Sequence, residues 1–174
     1  DMKKCGLVSL LGEPNVGKST LVNKITGTKV SIVTHKAQTT RTRIRGIRVI
    51  EDTQIILVDT PGVFAPKRRL DRAMVSAAWG GFTEADIILF MLDVSRGLTD
   101  GSRSILKSVG DKQYEKCPVI LLLNKIDKIK RNDLLNLSKT LNLLFNFSAT
   151  FMISAEKGSG TEDLVKWLSN RLPF

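Results

Sequence analysis

The residues Gly12-Glu13-Pro14-Asn15-Val16-Gly17-Lys18-Ser19 place a lysine and a hydroxyl directly behind a glycine-bounded loop, in the spacing G-x-x-x-x-G-K-[ST]. That spacing suits the gripping of phosphate. Glycines let the backbone curl so that successive N–H groups point inward, and a following helix N-terminus adds unpaired donors and its positive dipole end. Lys18 is then placed to reach the β- and γ-phosphates and the Ser19 hydroxyl to ligate Mg²⁺. Glu13, Pro14, Asn15 and Val16 form the wall of the loop; Thr20 follows without an assigned role. By itself such a loop does not separate ATP from GTP, or a kinase from a hydrolase.

Three further stretches extend the chemistry. Asp59-Thr60-Pro61-Gly62 follows an apolar strand, so that Asp59 can hold the Mg²⁺ shell and the Gly62 amide can approach a γ-phosphate. The loop Lys36-Ala37-Gln38-Thr39-Thr40-Arg41 should offer a threonine to the metal and the γ-phosphate. Thr40 is the first choice and Thr39 the alternative. Asn124-Lys125-Ile126-Asp127 ends another apolar strand. Its Asp127 carboxylate can accept from guanine N1–H and N2–H₂, a donor pair that adenine lacks there, so Asp127 would select GTP over ATP. In this reading the Lys125 stem covers the base and Asn124 ties the loop to the phosphate loop. Ser154-Ala155-Glu156 ends the last strand and offers the Ala155 amide to guanine O6.

These stretches need a frame. Strands are expected over 6–11, 55–58, 86–93, 118–123 and 149–153, and helices over 18–26, 70–79, 100–114, 133–145 and 161–172. Asp100 or Ser102 would cap the helix that starts near residue 100. Leu164, Val165, Leu168 and Leu172 stripe the last helix. The alternation implies an α/β domain, a mostly parallel sheet with helices on both faces. In the segment 41–49, Arg41, Arg43 and Arg45 share parity with Ile47 and Val49, so the charged and apolar faces exchange at Gly46. Either a bulge at that glycine or an edge strand of weak face preference would account for it, the bulge being slightly favoured.

The chain has 174 residues, 42% hydrophobic and 25% charged, enough for one domain with its own core. No apolar run approaches the length of a membrane span. Cys5 and Cys117 would open two strands separated by a third, roughly 9–10 Å apart at the usual strand spacing, too far for a disulfide. Two unpaired cysteines suit the reducing cytosol. The net charge of +10 favours polyanions such as nucleotide, RNA or anionic lipid, and it allows peripheral attachment at the inner membrane face. Lys67, Arg68, Arg69 and Arg72 could touch RNA, though a solvated segment is the plainer reading. His35 reads as exposed, and Trp79 and Trp167 as packing residues.

Together these motifs resemble the translation-factor-related P-loop GTPases, and within them the Era-like ribosome-assembly GTPases. Lys36-Ala37-Gln38-Thr39-Thr40-Arg41 is the most discriminating stretch, beside Gly12 to Leu21 and Asp59-Thr60-Pro61-Gly62-Val63. The resemblance covers essentially the whole chain. It implies a Ras-like G domain with a six-stranded sheet, mostly parallel with one antiparallel edge strand. It also implies Mg²⁺-dependent hydrolysis of GTP to GDP and phosphate, with Lys18, Thr40, Gly62 and Asn15 closest to the reaction. Val63 stands where Ras-like enzymes carry a water-orienting glutamine. Relatives with that replacement can use K⁺ held by a P-loop asparagine; Asn15 sits at the matching position, and the alternative is that it merely shapes the loop. The resemblance further implies a C-terminal KH-type domain that grips 16S rRNA in the small ribosomal subunit. Residues 1–174 read as the GTPase domain alone. Two rival readings remain: a GTP-binding interaction module with negligible hydrolysis, and the G domain of a related tRNA-modification or ion-uptake GTPase.

Overall fold

A computed structural model describes residues 4–26, 43–59, 85–111 and 117–172. The expectations placed on Lys36 to Arg41, Gly62, Val63, His35, Lys67 to Arg72, Trp79 and the helix 70–79 lie outside these residues, as does the side chain of Asp59.

Within them the elements run β1 (Lys4–Leu11), α1 (Lys18–Thr26), β2 (Arg43–Ile50), β3 (Thr53–Asp59), β4 (Ile87–Asp93), α2 (Asp100–Asp111), β5 (Val119–Asn124), a 3₁₀ turn (Ile126–Lys128), α3 (Arg131–Leu144), β6 (Ala149–Ile153) and α4 (Thr161–Arg171). The six strands form one sheet in the order β2-β3-β1-β4-β5-β6. All neighbours are parallel except β2 and β3. The expected architecture, with its antiparallel edge strand, is the one found.

Continuous apolar strands arise because both faces of this sheet are covered. In β4 every residue is buried. Ile87, Leu89 and Met91 point into a core shared with Leu21, Ile25, Leu164 and Leu168 of α1 and α4. Ile88, Phe90 and Leu92 point the other way, against Ile105, Val109 and Leu141 of α2 and α3. Each such fully buried side chain contributes roughly 1.5–3 kcal/mol relative to its exposed state. The i, i+1, i+4 spacing of Leu21, Val22 and Ile25 puts them on one face of α1, which meets the sheet, and all three are buried. Leu164, Val165, Leu168 and Leu172 are likewise buried.

The exchange of faces in β2 has a local cause. Ile44 pairs with Val58 and Gly46 with Leu57, so Arg45 is an extra residue between two paired ones. The bulge therefore sits at Arg45 and Gly46. Two other expectations shift. Helix α2 is capped by Thr99, whose Oγ1 accepts the Ser102 amide at 3.1 Å. Asp100 and Ser102 thus lie within the first turn rather than at the cap. Cys5 and Cys117 flank the separating strand β4 as expected, and both are free.

The sheet order makes β1 the turning point. From β1 the chain goes to β3 on one side, then across to β4 on the other. The crevice beyond the carboxyl ends at such a point is where open α/β sheets bind ligands.

Candidate nucleotide-binding site

The loop 12–17 leaves β1 at this turning point and feeds α1 directly. Its backbone takes conformations that generic residues avoid: Asn15 has φ 68° and Gly17 φ 110°. Gly17 is needed for a second reason. A Cβ there would lie 2.2 Å from Asn124 Nδ2. Without that Cβ the Asn124 amide crosses to the loop and donates to the Val16 carbonyl at 2.8 Å. Asn124 is buried, and its Oδ1 accepts the Ala155 amide at 2.9 Å. One side chain at the end of β5 therefore joins the phosphate-type loop to the loop after β6. The Ala155 amide, offered by the sequence to a base, is donated to Asn124 in this structure.

Lys125 adds a second tie. Its backbone is left-handed, φ 67° and ψ 38°. Its Nζ donates to Asp93 Oδ2 at 2.8 Å and to the Asn15 carbonyl at 3.4 Å. Asp93 ends β4 and also accepts the Ser95 amide at 2.9 Å and the Ser95 hydroxyl at 2.6 Å. Burial pushes the Asp93 carboxyl up, but the Lys125 and Ser95 hydrogen bonds outweigh it and hold the group below the usual carboxylate range. Sequence reasoning passed over Asp93. The available signal was an acid closing a wholly apolar strand, two residues before a serine.

Asp127 stands in the 3₁₀ turn after β5. Its carboxylate meets Lys157 at 3.4 Å and Lys128 at 3.9 Å. Desolvation acts upward on its pKa, yet its own backbone amide and the Lys157 and Lys128 charges bring it below the ordinary value. Lys157 lies directly after Ser154-Ala155-Glu156; Ser154 and Ala155 are buried while Glu156 is exposed.

At the other end of the crevice, Lys18 Nζ donates to the Gly12 carbonyl at 2.6 Å. Arg45, the bulged residue of β2, donates from its guanidinium to Ser19 Oγ. Ser19 and Thr20 are exposed in the first turn of α1, as are Pro14 and Asn15 in the loop. Glu13 turns away from the loop mouth, and its Oε1 accepts from the hydroxyls of Thr99 and Ser102.

Asp59 pairs in register with Leu10, so its backbone lies at the rim from which the loop springs. The described residues hold no group of three His, Cys, Asp or Glu able to bind a metal alone. The exposed Ser19 hydroxyl is one oxygen of the kind Mg²⁺ takes beside waters and phosphate oxygens.

The chain is 55% identical over 170 residues to GTPase Era of Dinoroseobacter shibae, covering 98% of this chain and 55% of that protein. Identity to GTPase Era of Brucella suis is 52% over the same length, covering 54% of that protein. The chain thus spans about half the length of these curated relatives. Among solved structures, a crystal structure of Era in complex with MgGDPNP and nucleotides 1506–1542 of 16S ribosomal RNA superposes with a TM-score of 0.79 at 40% identity. That match covers 98% of this chain and 58% of the solved one. The G domain of the Thermotoga maritima FeoB iron transporter shares the fold, with a TM-score of 0.65 at 24% identity. The family model described as 50S ribosome-binding GTPase matches residues 7–125, and the chain belongs to that family.

Proposed function

We propose that this chain binds GTP with Mg²⁺ and hydrolyses it to GDP and phosphate, serving as the nucleotide switch of a protein that acts in small ribosomal subunit assembly. The observation that carries the nucleotide reading is the double hydrogen bond of Asn124. It brings the loop 12–19, the Asn124–Asp127 loop and the Ser154–Glu156 loop to one crevice. Phosphates lie at one end of it and the base at the other.

In this reading the amides of Glu13 to Thr20 curl around the β-phosphate, and Lys18 leaves the Gly12 carbonyl to reach the β- and γ-phosphates. Ser19, Thr40 and Asp59 hold Mg²⁺, whose charge offsets that building on the transferring phosphoryl group. The Gly62 amide meets the γ-phosphate. Arg45 holds the Ser19 hydroxyl, and it would have to yield that oxygen for Ser19 to ligate Mg²⁺. Asp127 accepts from guanine N1–H and N2–H₂, the Lys125 stem lies over the base, and the Ala155 amide is shared between Asn124 and guanine O6.

Asn15 is assigned to a K⁺ ion beside the γ-phosphate. Its left-handed backbone turns the loop outward at this point, and its exposed side chain remains available to a cation. Similarity to the Era relatives supports the ribosomal role and 16S rRNA as the partner, and the two free cysteines with the +10 charge support a cytoplasmic protein drawn to polyanions.

Single-turnover hydrolysis of GTP with Mg²⁺ tests the reaction. Phosphate release faster in KCl than in NaCl at equal ionic strength is expected. Equal rates remove the K⁺ assignment, and no release in either salt leaves a binding module without chemistry.

A further inference from the structure

A loop that cradles phosphate carries a carboxylate, Glu13, at its second position. Negative charge there opposes the ligand. The structure shows where that charge goes. Glu13 reaches across to the start of α2, where the Thr99 and Ser102 hydroxyls both donate to its Oε1, the latter at 2.9 Å. Ser102 is buried at 1% exposure. Gly101 makes the room: a Cβ at that position would lie 2.1 Å from Glu13 Oε2. The carboxylate thus sits at the N-terminal end of α2, where the helix dipole favours negative charge. Thr99 meanwhile caps that turn through the Ser102 amide.

We propose that the start of α2 is an internal anion hole that sequesters the Glu13 carboxylate, and that Thr99 and Ser102 are the positioning residues that keep the loop fit to receive phosphate. Docked there, the carboxylate keeps its charge turned from the ligand. Released, it swings towards the phosphate site and repels what should bind. The inference rests on the guanine-nucleotide reading above and deepens it. It concerns the coupling between α2 and the loop, which no nucleotide contact in that reading requires.

The test uses the dissociation constant of a fluorescent GDP analogue with Mg²⁺, at about 0.05 M and about 0.5 M KCl. Thr99→Val combined with Ser102→Ala removes both hydroxyls and should weaken binding about tenfold at the lower salt, with a smaller gap at the higher, because repulsion is screened. Glu13→Gln alone should tighten binding about twofold at low salt. The triple variant, which lacks the hydroxyls and the charge together, should return to within about twofold of Glu13→Gln. Rescue separates charge from helix stability, since the double and triple variants share the same damaged cap. A triple variant as weak as the double overturns the proposal, as does a double variant that binds like the parent. A parent chain that takes no GDP overturns the nucleotide reading and this inference with it; a parent that binds without rescue in the triple variant overturns the inference alone.

Discussion

Two aspartates close neighbouring strands or their following turns, and their surroundings differ in kind. Asp93, at the end of β4, is 4% exposed and accepts from an ammonium, an amide and a hydroxyl. Asp127, beyond the end of β5, is an exposed residue and meets two lysines at 3.4 and 3.9 Å. The lone pairs of Asp93 are occupied by the protein itself. Asp127 is kept ionised by two exposed lysines, and among the described residues no backbone amide or hydroxyl of another residue donates to it. In the proposed function the first acid builds the site and the second reads the ligand.

Exchange of each carboxylate for its amide breaks that comparison most sharply. Asp127→Asn should lower GDP affinity by about a hundredfold or more and shift preference towards xanthosine nucleotides, whose carbonyl accepts from the new amide. Its melting temperature should hold within about 2 °C, as for an exposed substitution. Competition of XDP and GDP against a fluorescent analogue reads the first point and calorimetry the second. Asp93→Asn should show the opposite balance. Loss of charged acceptors for Lys125 and Ser95 should cost about 1–3 kcal/mol of stability, or roughly 2–10 °C, with a smaller loss of affinity through a loosened Lys125. Comparable loss of affinity in both variants would erase the distinction.

Acid sharpens it further. The folded-state pKa of Asp93 lies below its ordinary value, so its contribution is complete above the unfolded pKa, near about 3.9. It is lost as pH falls from there through the lowered folded value. Parent protein should therefore lose stability more steeply below about pH 4 than Asp93→Asn does, in denaturant melts taken across that range. The smallest effect concerns the strand starts on either side of β4. Burial, and secondarily the Asp86 carboxylate, pushes the Cys117 thiol up to about 11, whereas Cys5 is exposed. Iodoacetamide at about pH 8 should label Cys5 first, with Cys117 at least roughly tenfold slower, as peptide mass mapping would resolve.

Much of the frame was legible because it depends on periodicity and order. Ile87 to Leu92 could only be a strand buried on two faces, and Leu164, Val165 and Leu168 only the stripe of a helix. The bulge could be read from a change of parity, though its extra residue, Arg45, stands one place before the glycine. Sequence reasoning offered Asp100 or Ser102 as the cap and passed over Thr99, although all three residue types suit one. The Thr99 hydroxyl also donates to Glu13, 86 residues away along the chain, a contact that no local pattern announces. Asp93 escaped notice for the same reason: its partner Lys125 is 32 residues on, and no local pattern announces the pair. Asn124 was different. A motif supplied its role in joining loops, and the glycine that gives it passage, Gly17, belongs to another motif already singled out.

The central claim is a single crevice whose one end takes phosphates and whose other end admits guanine alone. Isothermal titration of the chain with MgGDP and with MgADP tests it most directly. The account predicts one site per chain for GDP and binding of ADP weaker by about a thousandfold or more, because adenine leaves the Asp127 acceptors unpaired. Equal affinity for the two, or no heat with either, would contradict it.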